Sequence, residues 1–298
     1  MTPPPTTRPP PLRGWLPVLV LPPAVLLAAP ADWPRWLPMW ALALAIYAGC
    51  KWLTWRRTPA PNAPPWKHAG YLLAWPGMDA RAFLNPAGLP PPPRPRAGEW
   101  LFAAAKLLLG VAVVWAVSPR VPTEYPILRG WVGMAGLIFV LHFGSFHLLS
   151  CAWRAAGVDA KPLMNWPVLA AGLSDFWGRR WNTAFRDLTH RFLFLPLASR
   201  LGPRGGLAAG FVFSGLVHDA VISVPAGGGY GLPTLYFLLQ GLGLAAERSK
   251  AGKRLRLGSG WRGRAFAAAV VIGPAYGLFH PPFVNNVVLP FLAAVGAG

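Results

Sequence analysis

Long apolar runs constrain the fold of this chain more than any other feature of its sequence. An α-helix needs roughly 17 to 25 apolar residues to cross the hydrocarbon core of a bilayer. Backbone inside lipid must satisfy its own hydrogen bonds, so such runs favour helices. The runs cover residues 15–31, 37–53, 101–117, 131–152, 207–225, 232–246, 265–279 and 283–295. The sequence therefore predicts an all-α, polytopic membrane bundle of about eight transmembrane helices.

Composition and charge agree with a membrane protein. Of the 298 residues 54% are hydrophobic and 12% are charged, which differs from soluble domains with about 25% charged residues. The net charge of +19 comes largely from basic residues within 51–96 and 248–264. The positive-inside rule places both stretches on the cytoplasmic side of the membrane, which is expected to be the cell (inner) membrane. Alternating the predicted spans between them places both termini on the same side. Anionic lipid headgroups account for this charge, so no nucleic-acid partner is expected.

The chain is predicted to form a single membrane-embedded domain over residues 1–298. Residues 1–14 form a proline-rich tail, and residues 54–98 form a cytoplasmic loop whose aromatic residues are expected at the membrane interface. Residues 161–204 mix Trp and Phe with arginine residues and lack one clean spanning run, so they are the expected part that builds the active site. Residues 174–224 hold two short motifs and are the expected catalytic segment.

An amphipathic interfacial helix is predicted to begin at Ser174, a residue suited to an N-cap. Helical spacing aligns a polar stripe of Asp175, Arg179, Asn182 and Arg186. An adjacent apolar stripe consists of Trp177, Trp181, Phe185 and Leu188. An interfacial helix with no catalytic role would show the same periodicity, so the pattern alone leaves both interpretations open.

His218 interrupts an apolar run, and Asp219 follows it directly. A buried imidazole tends to stay neutral, which suits a general base that removes a hydroxyl proton. A structural histidine bonded to a neighbouring helix is the alternative. Two adjacent ionisable residues are costly in lipid, and this favours a functional role.

Two motifs together resemble the wax synthase branch of the membrane-bound O-acyltransferase superfamily. They are DFWGRRWN at residues 175–182 and FSGLVHD at residues 213–219. That superfamily pairs an asparagine or aspartate with a histidine inside a multi-span bundle, which matches Asn182 and His218. Asp219 stands where the family usually has glutamate, so an orienting contact can differ. The compact chain favours the wax synthase-like branch over the sterol and diacylglycerol branches.

The resemblance implies an O-acyltransferase that moves a fatty acyl group from acyl-CoA to a lipophilic alcohol, without a covalent enzyme intermediate. His218 is then the general base, and Asn182 hydrogen-bonds the thioester region. Acyl-CoA is the co-substrate, and no metal or redox cofactor is implied. The residues expected to bind acyl-CoA are Arg179, Arg180, Arg186, Trp181 and Trp177. Anchoring to lipid headgroups is the alternative role of each arginine.

Other functions remain open at this point. The same fold could acylate a sterol, a diacylglycerol, a glycan or a secondary-metabolite hydroxyl, because pocket walls set acceptor choice. A non-catalytic lipid-binding or transport protein is the alternative of another class. No HExxH, CxxC, GxSxG or phosphate-loop motif occurs, so hydrolase and metalloenzyme functions lack residues. The sequence leaves the oligomeric state open.

Overall fold

Every regular element is helical in the computed structural model, which describes residues 14–298. This confirms the all-α prediction. The helices are α1 (Leu16–Ala28), α2 (Trp36–Arg56), α3 (Pro65–Ala74), α4 (Ala80–Leu84), α5 (Ala97–Arg120), α6 (Pro126–Ala155), α7 (Leu173–Asp175), α8 (Thr183–Ala226), α9 (Leu232–Arg248), α10 (Lys250–Arg254), α11 (Gly260–Leu278) and α12 (Pro281–Ala294). Residues 1–13 of the predicted tail lie outside the described part of the chain.

Four of these helices, α2, α5, α6 and α8, are long and apolar enough to cross a membrane. Helices α11 and α12 supply a fifth candidate if they form one span bent by 60°. The chain is therefore an integral membrane protein, but the expected count of eight is not confirmed. The first apolar run forms only the 13 residues of α1, about 20 Å of helix against a hydrocarbon core of about 30 Å. The last two runs form the two halves of the bent pair.

Helix α8 is interrupted at Gly202, whose φ of 73° and ψ of 167° are not helical. Glycine tolerates a positive φ without a Cβ clash, and the following Pro203 has no N–H to continue the hydrogen-bond ladder. The break separates an amphipathic first half from an apolar second half. His218 lies near the end of the second half.

The predicted interfacial helix starting at Ser174 is broken in the middle. Helix α7 starts at Leu173 and continues as a π-helical turn to Arg180, with Ser174 inside the helix. Trp181 is then extended, and Asn182 adopts the left-handed region with φ 41° and ψ 65°. The polar stripe is therefore divided between two helices. Asparagine enters the left-handed region more readily than most residues, and its side chain starts the next helix.

The loop over residues 54–98 is more deeply packed than the sequence suggests. It contains α3 and α4, and Tyr71, Trp75 and Phe83 are buried in a cluster with Val158. These three aromatic residues therefore contact protein and not lipid, and the interfacial position of the loop as a whole stays a prediction. Leu73 stays 85% exposed, as expected at an interface.

Helix α8 approaches α9 closely, so that its second half lies beside Thr234 and Phe237. A Cβ atom at Gly215 would lie 2.7 Å from the Cα atom of Thr234, so the absence of a side chain permits this contact. The same face of α9 presents Phe237, which joins Ile222 and Val284 in the main apolar core. Helices α8, α9 and α12 thus meet around the residues that follow His218.

Candidate active site

The imidazole of His218 has a defined tautomer. Its Nδ1 atom lies 2.7 Å from the backbone oxygen of Ser214, one turn earlier in α8. A carbonyl oxygen can only accept, so Nδ1 carries the proton in the neutral ring and Nε2 keeps a free lone pair. The ring also packs on Phe237, with 4.4 Å between the ring centroids. His218 therefore has the tautomer and the support that a general base needs.

The neighbouring Asp219 carboxylate joins the end of α8 to the start of α9. Oδ1 accepts hydrogen bonds from the hydroxyl of Ser223 and the N–H of Gly231, both at 2.9 Å. Oδ2 accepts from the backbone N–H of Thr234 at 3.0 Å and from the Thr234 hydroxyl. The first N–H groups of a helix lack partners within the helix, so a carboxylate there stabilises its start. Asp219 thus caps α9.

Asn182 begins α8. Its Oδ1 atom accepts a hydrogen bond from the backbone N–H of Phe185 at 3.2 Å, and its own N–H points to the sulfur of Met164 at 3.3 Å. This assignment turns the side-chain NH₂ group away from the helix. Within residues 14–298 that NH₂ group makes no hydrogen bond. Asn182 therefore combines a structural cap with a free donor.

A row of aromatic rings links the surroundings of Asn182 to His218. The ring of Trp181 stacks on that of Phe176, with 5.6 Å between their centroids, and the centroids of Phe176 and Trp177 are 5.1 Å apart. Trp177 then contacts Phe237 at 5.9 Å, next to the His218 ring. No direct contact between Asn182 and His218 is found among the described residues, and the row is what relates them. Trp177 and Trp181, predicted to bind acyl-CoA, are members of this row.

A cavity of about 1010 Å³ lies between α5, α6 and the segment that precedes α8. Its size lies at the upper end of ordinary ligand pockets. Apolar side chains from α5 and α6 form one wall: Phe102, Leu109, Phe139 and Phe143. Of the predicted site residues, Arg179 and Arg186 line it, whereas the described lining does not include Asn182, Arg180, Trp177, Trp181 or His218. Phe143 contacts Trp181 at 6.4 Å, so the aromatic row runs from the cavity wall to His218.

The three predicted arginines have different surroundings. Arg179 bonds Asp175 at 2.9 Å, but its side chain is 74% exposed. Arg180 bonds the other oxygen of Asp175 at 2.6 Å and donates to the backbone oxygens of Asn165 and Trp166. Arg180 is therefore committed to holding the segment together. Arg179 keeps donors free at the cavity.

Arg186 is intermediate between these two. It donates to the backbone oxygen of Gly178 at 2.7 Å and pairs with Asp187 at 2.5 Å. The Gly178 contact bridges the break at Asn182. Arg186 therefore fastens α8 to the preceding turn while it lines the cavity.

Asp175 is the charge centre of the motif. Burial alone would raise the pKa of this carboxyl, but other contacts outweigh burial and lower it. These contacts are the hydrogen bond from the backbone N–H of Ala171 and the ion pairs with Arg180 and Arg179. Asp175 is therefore an ionised, structural carboxylate at neutral pH.

Sequence reasoning missed Glu247, which holds the motif in place. This buried carboxylate on α9 accepts hydrogen bonds from the backbone N–H groups of Leu173 and Ser174, the latter at 3.0 Å. These are the first N–H groups of α7. The available signal was a single acidic residue at the end of an apolar helix, just before a basic stretch. Arg248 adds a bond from its Nε atom to the Ser174 hydroxyl at 3.2 Å.

A second polar cluster lies on the cavity wall. Possible metal ligands from Glu99, His147 and Cys151 fall within 4.8 Å of one another. Lys106 Nζ, however, lies 2.7 Å from His147 Nδ1, and Arg154 pairs with Glu99. An ammonium can only donate, so Nδ1 accepts and the opposite nitrogen donates to Glu99 at 3.0 Å. Two cations thus occupy the lone pairs that a metal would need, and His147 lacks the free nitrogen that His218 has.

Comparisons with known proteins confirm the predicted family resemblance. Residues 160–239 match the family model described as "Membrane bound O-acyl transferase family". A probable long-chain-alcohol O-fatty-acyltransferase 7 of Arabidopsis thaliana is 32% identical over 148 residues, 44% of this chain and 42% of the relative. The probable long-chain-alcohol O-fatty-acyltransferase 1 of that plant is 27% identical over 193 residues, 60% of this chain and 47% of the relative. An acyl-CoA–sterol O-acyltransferase 1 of Arabidopsis thaliana is 39% identical over 71 residues, 22% of this chain and 21% of the relative.

The matched part covers less than half the length of these relatives. The family-model match over residues 160–239 includes the two motifs on which the resemblance rests. Residues 160–239, which hold Asn182, His218 and Asp219, therefore match the membrane-bound O-acyltransferase family, and the similarity of the chain to long-chain-alcohol O-fatty-acyltransferases confirms the predicted resemblance to the wax synthase-like branch.

Proposed function

We propose that this protein is an O-acyltransferase that moves a fatty acyl group from acyl-CoA to the hydroxyl of a lipophilic alcohol, as a wax ester synthase does. The observation that carries the proposal is the tautomer of His218, whose Nε2 lone pair is free while Ser214 fixes Nδ1. The family-model match over residues 160–239 supports the choice of reaction, and the similarity of the chain to long-chain-alcohol O-fatty-acyltransferases supports the choice of acceptor.

The reaction uses His218 twice. Nε2 takes the proton of the alcohol hydroxyl while the alcohol oxygen attacks the thioester carbonyl carbon. The carbon–sulfur bond then breaks, and the imidazolium returns the proton to the departing CoA thiolate. The free NH₂ group of Asn182 donates to the carbonyl oxygen as negative charge develops there. The products are an ester and free CoA.

The cavity is the proposed site for acyl-CoA. Arg179 and Arg186 supply guanidinium groups at its wall, and such groups suit the geometry of phosphates. Arg180 has a smaller part in this role, because its Nε and Nη1 donors are engaged by Asp175 and two backbone oxygens and the described cavity lining does not include it.

The proposed place is the cell (inner) membrane, with both basic stretches, 51–96 and 248–264, on its cytoplasmic side. This orientation requires the 17-residue α9 to cross the bilayer together with α5, α6 and α8. Cytoplasmic termini require in addition that α1 crosses and that α11 and α12 cross separately. In this orientation the basic residues face cytoplasmic lipid headgroups. The acyl-CoA donor then arrives from the cytoplasm, and the alcohol acceptor arrives from the bilayer.

A sterol acceptor is the second candidate within the same chemistry. It is favoured by the 39% identity over 71 residues to a protein named as an acyl-CoA–sterol O-acyltransferase. The non-catalytic alternative, a lipid-binding or transport protein, differs from both because it does not require the base at His218.

The test uses purified protein in detergent with labelled palmitoyl-CoA and, in parallel, a fatty alcohol, a sterol or a diacylglycerol. Products are identified by mass spectrometry. We expect wax ester from the parent protein and from a His190→Ala control, whose histidine is exposed, but none from His218→Ala. Ester formed only with the sterol would replace the proposed acceptor. Full activity of a folded His218→Ala protein, or no ester with any acceptor, would contradict the proposal.

A further inference from the structure

Two buried residues extend the hydrogen bonds of Asp219 into the bend between α11 and α12. Ser223 and His280 are both fully buried. The Ser223 hydroxyl lies 2.9 Å from Asp219 Oδ1 and 3.1 Å from His280 Nε2. Buried polar side chains destabilise a fold unless they have hydrogen-bond partners, and each of these three side chains has at least one.

The direction of this chain follows from the cap of α12. His280 Nδ1 accepts a hydrogen bond from the backbone N–H of Phe283 at 3.2 Å. In the neutral ring the proton therefore sits on Nε2, which donates to the hydroxyl oxygen of Ser223. Ser223 then donates its single proton to Asp219 Oδ1 at 2.9 Å in preference to the backbone oxygen of Gly229 at 3.2 Å, because the ionised carboxylate is the stronger acceptor. The tautomer of His280 is thus opposite to that of His218.

This direction rules out a serine nucleophile. A hydrolytic triad needs an imidazole nitrogen that takes the serine proton, but His280 Nε2 is itself a donor towards Ser223. The serine is also completely buried, so no ester can approach it. The chain from His280 to Asp219 therefore orients groups and performs no chemistry of its own.

Helix α9 connects this hydrogen-bond chain to the ring of His218. Asp219 holds both the backbone N–H and the hydroxyl of Thr234. Phe237 lies one helical turn after Thr234, and its ring packs on His218 at 4.4 Å. The position of α9 at Thr234 thus determines where the Phe237 ring supports the imidazole.

From this geometry we infer that Thr234, Ser223 and His280 are positioning residues, which hold Asp219 and α9 so that Phe237 keeps the His218 ring in its reactive orientation. The inference rests on the proposed acyl transfer for its kinetic consequence. The hydrogen-bond chain itself can be tested without any activity.

The kinetic test compares Thr234→Val with Thr234→Ser. Valine keeps the shape and the backbone N–H but removes the hydroxyl donor to Asp219, whereas serine keeps the donor. We expect Thr234→Val to lower kcat roughly 10-fold to 100-fold with little change in KM for acyl-CoA, since small displacements of reacting groups cost factors of this size. Thr234→Ser should retain activity. Equal kcat values in both variants and the parent, or a loss that appears in KM alone, would overturn the inference.

The second test reads the tautomers directly. Protein labelled with ¹⁵N-histidine contains six histidines, which single His→Gln variants can assign. The ¹⁵N chemical shifts should show the proton of His218 on Nδ1 and that of His280 on Nε2. A Ser223→Ala variant should shift the His280 Nε2 resonance and leave that of the distant His68 unchanged. A proton on His280 Nδ1 would overturn the chain of donors.

Separate outcomes distinguish this inference from the proposed function. If the tautomers are as inferred but the parent forms no ester, the hydrogen-bond chain stands and acyl transfer fails. If the parent forms ester but Thr234→Val is as fast as Thr234→Ser, acyl transfer stands and the positioning role fails. Thermal unfolding of each variant in detergent identifies any that are misfolded, and in that case Ser223→Ala supplies the kinetic comparison.

Discussion

The Oδ1 atom of Asn182 accepts a hydrogen bond from the backbone N–H of Phe185 at 3.2 Å, so the residue proposed to contact the thioester also begins the helix that leads to His218. The cap fixes the side chain with its NH₂ group outward. Structure and proposed chemistry therefore use opposite ends of one amide, and substitution can separate them.

Substitutions of Asn182 should separate its role as a helix cap from its proposed role as a donor. Asn182→Asp keeps an acceptor for the cap and tolerates the positive φ, so the free energy of unfolding should stay within about 0.5 kcal/mol of the parent. Loss of the NH₂ donor should lower kcat roughly 100-fold to 1000-fold, as for other donors to a developing oxyanion. Asn182→Ala should lose both properties and destabilise the protein by about 2 kcal/mol. Denaturant unfolding and ester formation measure the two effects, and an active Asn182→Asp variant would contradict the proposed role.

Arg179 and Arg180 provide a matched pair of variants for testing the proposed acyl-CoA site. Arg179→Gln should raise KM for acyl-CoA by about 3-fold to 10-fold, a modest effect because the side chain is exposed and screened by salt. Arg180→Gln should leave KM nearly unchanged. It should instead destabilise the protein by roughly 1 to 3 kcal/mol, because it removes hydrogen bonds to Asp175 and to two backbone oxygens. Steady-state kinetics at two salt concentrations measures KM, and denaturant unfolding measures stability. A raised KM in Arg180→Gln together with an unchanged KM in Arg179→Gln would contradict the proposed role of Arg179.

Glu247 should be important for stability although it lies outside both motifs. Glu247→Gln places an amide NH₂ opposite the N–H groups of Leu173 and Ser174, so at least one buried donor loses its partner. The expected cost is about 1 to 3 kcal/mol in the free energy of unfolding. The exposed Glu124→Gln is the control and should have no measurable effect. Thermal unfolding in detergent compares the two variants.

Asp175 should make the stability of the protein depend on pH in the acid range. Its pKa is lower in the folded protein than in the unfolded chain, because its hydrogen bonds and ion pairs outweigh burial. The stabilisation is therefore complete above the unfolded value of about 3.9 and is lost as the pH falls through the lower folded value. The midpoint of thermal unfolding should drop more steeply below pH 4 in the parent than in Asp175→Asn. An exposed control, Asp32→Asn, should retain the steep drop.

Local patterns in the sequence were sufficient for part of this account. The apolar runs determine that the protein is helical and lies in a membrane, because backbone in lipid must bond internally. The resemblance at residues 175–182 and 213–219 singled out Asn182 and His218, and the comparison with known families confirms the family for this segment. Composition could not give the number of spans, since the break at Gly202 and the bend between α11 and α12 depend on packing.

The surroundings of each site residue were decided only by the tertiary structure. Helical periodicity put Asp175, Arg179 and Asn182 on one face, but the left-handed backbone at Asn182 ends that helix and makes the residue a cap. Periodicity also could not separate Arg179 from Arg180, because their difference comes from contacts with residues 165 and 166.

The sequence by itself determined that the protein is a helical membrane protein, and it singled out Asn182 and His218 as the proposed site residues, because apolar length and short motifs are local properties. Only the tertiary structure decided which nitrogen of His218 is free, and how Asp219, Ser223 and His280 are joined. Those properties depend on hydrogen bonds and packing between α8, α9 and the bend before α12, which lie far apart along the chain.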